Sequence, residues 1–202
     1  DYSNNLLKHI SEFIEKQYGL TSTKIQEKGD FLEQSFNILK ENDVVIIGRV
    51  GERAAEKNKP IGSNVENFIR GANCTVITVG ENFEPPKRFI FAYEYSPTCQ
   101  KILQRIAQSY LLKTLQCHLL YVCDHPEMLT EPEKYLKDAG IEVVPVYRYG
   151  DVAQNILEYQ AEHKIQLIVL GAFSHSKIHQ FFLGSITTTI FRNANVPLLV
   201  AK

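Results

Sequence analysis

The sequence predicts an α/β fold built on a doubly wound parallel sheet, and two observations carry the prediction. Short apolar runs of strand length, among them Val44-Val45-Ile46-Ile47 and Leu167-Ile168-Val169-Leu170, alternate with segments of helical length. Strands that alternate with helices in this way form parallel sheets covered on both faces, with right-handed crossovers. The chain also repeats itself. Asp43-Val44-Val45-Ile46-Ile47-Gly48 matches Gln166-Leu167-Ile168-Val169-Leu170-Gly171, Gly62-Ser63 matches Gly184-Ser185, and Ala72-Asn73-Cys74-Thr75-Val76-Ile77 matches Ala194-Asn195-Val196-Pro197-Leu198-Leu199.

The second repeat, residues 87–202, reads in order. A strand at 89–93 leads to Ser96, a helix N-cap, and Pro97, which suits the first helical position of a helix running to about 115. A strand at 118–123 precedes a helix over 131–138 that Gly140 ends, and a strand at 142–147 follows. Asp151 caps a helix to about 163, with Ile156 and Leu157 on its apolar face. A strand at 167–170, a small-residue loop, a helix from Ser185 and a last strand at 197–201 complete it. The first repeat, residues 1–84, holds a helix at 6–18, a weak strand at 21–26, a helix at 30–40, the 44–47 strand with its loop and helix, and a last strand at 75–79. Internal comparison leaves it without a counterpart of the stretch from Lys87 to Pro126, roughly 40 residues holding its front strands. Pro85-Pro86 is the hinge between the repeats.

The chain has 202 residues, 44% hydrophobic and 22% charged, with a formal net charge of -1. That balance fits a globular protein and argues against a general nucleic-acid binder. No apolar run approaches the ~18 residues of a membrane span, and no signal peptide is visible. Cys74, Cys99, Cys117 and Cys123 lack CxxC spacing and are expected to be reduced, in the cytoplasm. Cys99 falls in a helix's first turn, where a thiol pKa is expected to be lowered. His175 and His179 have the i, i+4 spacing of a zinc pair but no third ligand, so no metal site is expected.

The chemistry concentrates in the loop from Gly171 through Ala172 and Ser174 to Gly184, Ser185, Ile186 and Thr187, and in its counterpart Gly48, Gly51, Gly62 and Ser63. Glycines admit an anion to the backbone, and the unpaired N–H groups and positive dipole of a helix's first turn favour a phosphate. The second loop is the better candidate. Its helix opens without a carboxylate, with His175, Lys177 and His179 nearby, whereas Glu66 in the first repeat's helix would repel phosphate. The first loop does carry Arg49, Arg53, Lys57 and Lys59 as nearby positive charge, against Glu52 and Glu56.

At these residues the chain resembles the universal stress protein family in its tandem form. The family pattern is Gly, two residues, Gly, nine residues, Gly, then Ser or Thr. Gly171, Gly184 and Ser185 keep it with Ser174 at the second glycine, and Gly48, Gly51, Gly62 and Ser63 keep it with ten residues between. The family's first strand usually ends in Asp, a small residue and Ser, where Glu94-Tyr95-Ser96 stands here. Its closing Pro-Val-Leu-Val-Val strand is matched by Pro197-Leu198-Leu199-Val200-Ala201. The resemblance implies a Rossmann-like, adenine nucleotide alpha hydrolase-like sheet of order 3-2-1-4-5, with ligand at the switch point between strands one and four. In that family some members bind ATP there, with magnesium accompanying it and without strong turnover, and others lack the loop and bind no nucleotide. Val122 and Leu170 would flank the adenine, Glu94 and Ser96 would face the ribose, and the 171–187 loop would hold the phosphates. Last strands pair in this family across a homodimer or between tandem repeats, and the two repeats here are expected to pair through 75–79 and 196–200.

The leading expectation is therefore a stress-response module that senses or stores adenine nucleotide, with no catalytic residues. The rival is a regulatory scaffold of the same fold that binds no nucleotide. A third reading is an ATP-hydrolysing or adenylating enzyme, against which no paired-carboxylate or Ser-His-Asp arrangement can be assembled from spacing.

Overall fold

The computed structural model describes residues 2–49, 63–80, 83–123, 129–171 and 185–201. The chain divides into two compact units, 1–38 and 39–202. In the first, helix α1 spans Tyr2–Tyr18 and α2 spans Phe31–Ile38. Asp30 caps α2, its carboxylate accepting from the Leu32 and Glu33 N–H groups at 3.0 and 3.1 Å. The strand expected at 21–26 is not formed, and those residues are exposed without regular structure. Its Thr and Ile favour extended backbone only when a neighbouring strand supplies a hydrogen-bond ladder, and no described strand pairs with it.

The second unit is a seven-stranded sheet. Its elements in chain order are β1 (Val44–Gly48), α3 (Ser63–Gly71), β2 (Thr75–Val79), β3 (Arg88–Ala92), α4 (Pro97–Gln108), α5 (Tyr110–Lys113), β4 (Gln116–Val122), α6 (Thr130–Asp138), β5 (Val143–Arg148), α7 (Val152–Glu162), β6 (Leu167–Gly171), α8 (Ser185–Asn193) and β7 (Leu198–Ala201). The sheet order is β1-β2-β7-β6-β3-β4-β5. Within the second repeat, β5-β4-β3-β6-β7 is the order 3-2-1-4-5, and all its pairs are parallel. β2 pairs antiparallel with β7, Val76 opposite Val200 and Thr78 opposite Leu198, while β1 pairs parallel with β2.

The helix expected to reach 115 breaks at Ser109. Ser109 has φ -76° and ψ 117°, and its hydroxyl accepts from the Leu112 N–H at 3.2 Å to cap the short α5. A serine hydroxyl offers the backbone an alternative to the next helical bond, which is why the helix restarts there. Gly140 follows α6 at φ +85°, a left-handed conformation that costs glycine nothing.

One face of the sheet, with Phe89, Phe91, Cys117, Leu119, Leu167 and Val169, packs on Ile102, Leu103 and Ile106 of α4 and on Leu136 of α6. The pleat sends Ile90, Leu120, Ile168, Leu170 and Val200 to the other face, where Ile156 and Tyr159 of α7 and Ile190 and Phe191 of α8 are also buried. β6 is buried along its whole length. β1, at the sheet edge, leaves Val44 and Ile46 60% and 67% exposed.

Candidate functional site

β3 has β4 on one side and β6 on the other, so the connections leave it in opposite directions and open a crevice at the carboxyl ends of β3 and β6. Glu94 and Ser96 follow β3, Val122 ends β4, Gly171 ends β6 and Ser185 opens α8. The sheet thus gathers residues from three strands at one end of the second repeat. Ala172, Ser174 and Gly184, with His175, Lys177 and His179, lie outside the described residues, as do Gly51, Gly62, Glu52, Arg53, Glu56, Lys57 and Lys59.

Ser96 is held in extended backbone (φ -132°, ψ 155°) and its hydroxyl accepts from the Cys99 N–H at 3.2 Å. A capping hydroxyl keeps its own proton to donate. Glu94 is half-buried, and its carbonyl accepts from the Ser96 N–H at 2.8 Å, closing the turn that carries it. Val122 is half-buried, whereas Leu170 is fully buried beneath the helices. Ser185 is exposed, and α8 has no acidic residue in its first turn. Thr187 is fully buried, with a hydroxyl that has no hydrogen-bond partner among the described residues.

Gly171 has an ordinary φ, so its role is space rather than conformation. A Cβ there would stand 3.2 Å from Ile102 Cδ1, 3.5 Å from Cys99 Sγ and 3.6 Å from Thr98 Cγ2. The glycine lets the first turns of α4 approach the end of β6.

Tyrosines that sequence reasoning missed crowd the same end of the sheet. Tyr93 stacks edge-on with Phe91, Tyr95 and Tyr121 at centroid distances of 5.8, 5.6 and 6.1 Å. Gln100 Nε2 donates to the Tyr93 hydroxyl at 2.7 Å, and the Tyr95 hydroxyl donates to Glu131 at 3.5 Å. Burial pushes the Tyr93 and Tyr121 phenols up, so both stay neutral. The signal in the sequence was the alternation Phe89, Phe91, Tyr93, Tyr95, which places four rings on one side of an extended segment.

Three charge expectations are corrected. Cys99 is fully buried and burial pushes its thiol up to about 11, outweighing the helix N-terminus. Glu66 is not an isolated negative charge: its carboxylate meets Arg70 at 2.5 Å and Arg192 of α8 at 3.7 Å, and the Arg70 hydrogen bond holds it below the usual carboxylate range. Arg49 is not a loop cation awaiting phosphate. It is 7% exposed and donates from Nη2 to the Phe191 carbonyl at 2.6 Å, and from Nη1 to the Ala194 carbonyl and, at 3.5 Å, to that of Val196.

In the first repeat, Gly48 ends β1 in open space and Ser63 begins α3. The antiparallel β2–β7 pair reverses the sheet's sense, so the Gly48 end and the Gly171 end lie at opposite ends of the sheet. Among the described residues no cluster of three metal-binding side chains occurs, and no helix is long and apolar enough to cross a membrane.

Comparison with known proteins places these features in context. The profile of the universal stress protein family matches residues 127–202. The universal stress protein Slr1230 of Synechocystis is 32% identical over 194 residues, covering 93% of this chain and 68% of that protein. The universal stress protein MJ0577 of Methanocaldococcus jannaschii is 21% identical over 153 residues, 57% of this chain and 94% of its own length. A universal stress protein structure from Archaeoglobus fulgidus superposes with a TM-score of 0.79 at 18% identity, covering all of this chain and 76% of that one.

Proposed function

This chain belongs to the universal stress protein family, and on that premise we propose that it acts by binding adenine nucleotide, ATP with magnesium, without strong turnover. The crevice at the ends of β3 and β6 is the proposed site. Glu94 and Ser96 face the ribose, the base lies against Val122 and the Leu170-Gly171 end of β6, and the loop to Thr187 takes the phosphates. The observation that carries the reading is α8: a nine-residue helix opening at the switch point with Ser185, Ile186, Thr187 and Thr188, no carboxylate in its first turn. Unpaired N–H groups there favour an anion. A cytoplasmic setting is proposed as well, since all four cysteines are thiols rather than disulfides.

The rival scaffold reading draws on a different observation. Tyr93, just past β3, and Leu170 of β6 are 4% and 0% exposed, so neither offers a base an open surface. Titration with ATP, with and without magnesium, read by calorimetry and thermal shift, separates the two. Nucleotide at 100 times its dissociation constant stabilises the folded state by about 2.7 kcal/mol. A shift that Gly184→Val abolishes supports the nucleotide reading. No response to millimolar ATP, ADP or AMP ends it and leaves the scaffold.

A further inference from the structure

We infer that Arg49 is a positioning residue, through which the first repeat holds α8 in place at the second repeat's crevice. The inference rests on the nucleotide reading for what α8 is positioned to do, and on geometry alone for the clamp.

The carbonyls of a helix's last turn have no intrahelical donors and carry its negative dipole end. Around the end of α8, the carbonyls of Phe191, Ala194 and Val196 converge on the single guanidinium of Arg49. A planar fork with five N–H donors can serve several carbonyls at once, and its charge suits the dipole end. The guanidinium also lies 5.9 Å from the centre of the Phe191 ring. Its root is fixed as well: the Arg49 N–H donates to the Val79 carbonyl at 2.8 Å, extending the β1–β2 ladder by one residue. A second tie runs the same way, from Glu66 of α3 to Arg192 of α8.

What makes this more than packing is where the two ends of α8 lie. Because β2 and β7 are antiparallel, the carboxyl end of β1, with Gly48 and Arg49, meets the carboxyl end of α8. The amino end of α8 opens at the second repeat's crevice, about 13 Å away at 1.5 Å per residue. α8 therefore runs from the Gly171 end of the sheet to the Gly48 end, gripped there by the residue that follows Gly48. Loosening that grip frees the helix whose first turn the phosphates would meet.

The test compares the full chain with Arg49→Met and Arg49→Lys. Methionine keeps much of the stem and removes charge and donors. Lysine keeps the charge but loses the fork. Without nucleotide, amide hydrogen exchange in α8 is expected to accelerate by roughly tenfold or more in Arg49→Met, since hydrogen bonds from a charged donor are lost, and by less in Arg49→Lys. Exchange in α6, which Arg49 does not touch, should stay as it is. Exchange in α8 that is unchanged in both variants, or an acceleration shared equally by every helix, overturns the clamp. ATP affinity is then measured at a temperature where all three proteins are folded. A several-fold weaker Kd in Arg49→Met, partly restored in Arg49→Lys, supports positioning, and an unchanged Kd beside faster α8 exchange overturns it. Failure of the unsubstituted protein to bind ATP defeats the nucleotide reading and with it the purpose assigned to the clamp, while the exchange data still decide the clamp itself.

Discussion

Placing a methyl group on Gly171 tests whether this glycine serves helix approach. The new Cβ would stand 3.2 Å from Ile102 Cδ1, while its next neighbours, at 3.5 and 3.6 Å, are ordinary contacts. Carbon atoms rest about 3.5–4.0 Å apart, so Ile102 must retreat by roughly 0.3–0.8 Å. Ile102 is 1% exposed, yet it lines a cavity of about 270 Å³ with Ile106, Val169 and Leu199, so part of the retreat is taken up there and the cost falls in the lower half of its range. Overpacking of this kind costs about 1–3 kcal/mol, and the lost freedom of glycine in the unfolded chain returns about 0.4–1 kcal/mol. Gly171→Ala should therefore destabilise by about 1 kcal/mol, a fall of about 2–4 °C in Tm for a chain of this size. Ile102→Val removes the one close atom and alone costs about 0.5–1.5 kcal/mol. In that background Gly171→Ala should cost almost nothing. Urea unfolding of the four proteins measures the coupling, expected at about 1 kcal/mol. Additivity within about 0.3–0.5 kcal/mol, or a Gly171→Ala protein more stable than its parent, would refute the close-approach argument.

Two further predictions concern titratable groups. His118 sits under α7 with Nδ1 2.8 Å from the Tyr159 hydroxyl and Nε2 3.0 Å from Gln116 Oε1, and burial, then His163 and Arg88, hold its pKa below the ordinary histidine value against a smaller pull from Glu142. Its unfolded form takes up a proton near pH 6.5 while the folded form does not, so stability should fall as pH drops below about 6.5 and level off below the folded pKa; urea midpoints from pH 8 to 5 should fall less steeply in His118→Gln, and equal slopes would remove His118 as the cause. For the thiols, iodoacetamide on the native protein should label the half-buried Cys123 well before Cys99, whose thiol is buried and pushed up to about 11; peptide mass mapping showing Cys99 labelled first would contradict the burial argument.

Much of this architecture is legible in the order of residues alone. The apolar runs at 44–47 and 167–170, the caps Ser96 and Asp151 and the glycine after α6 are local signals, and each appears in the structure where its chemistry puts it. The crevice at the ends of β3 and β6 follows from the same alternation, because parallel strands with right-handed crossovers leave a switch point. The strand expected at 21–26 marks the limit of local signals, since extended propensity without a neighbouring strand forms no ladder.

Side-chain partners were not legible, because segments far apart in sequence supply them. The position of Cys99 in a first turn argues for an activated thiol, yet the sheet buries it and desolvation prevails. Arg49 looks like a cation waiting beside a glycine loop, yet its partners lie more than 140 residues away, on α8 and just past its end. Glu66 looks like a charge that repels anions; its i, i+4 pairing with Arg70 on the same helix is a local signal that sequence reasoning missed, while Arg192 from the other repeat reaches it only in the fold. The antiparallel register of β2 on β7 underlies the two cross-repeat contacts and sends the two loops to opposite ends of the sheet. Local sequence encodes which elements form and in what order, because backbone preference and apolar spacing act over a few residues. Charge, burial and coupling between the repeats emerge only when the sheet closes, because they depend on which distant groups it brings within reach.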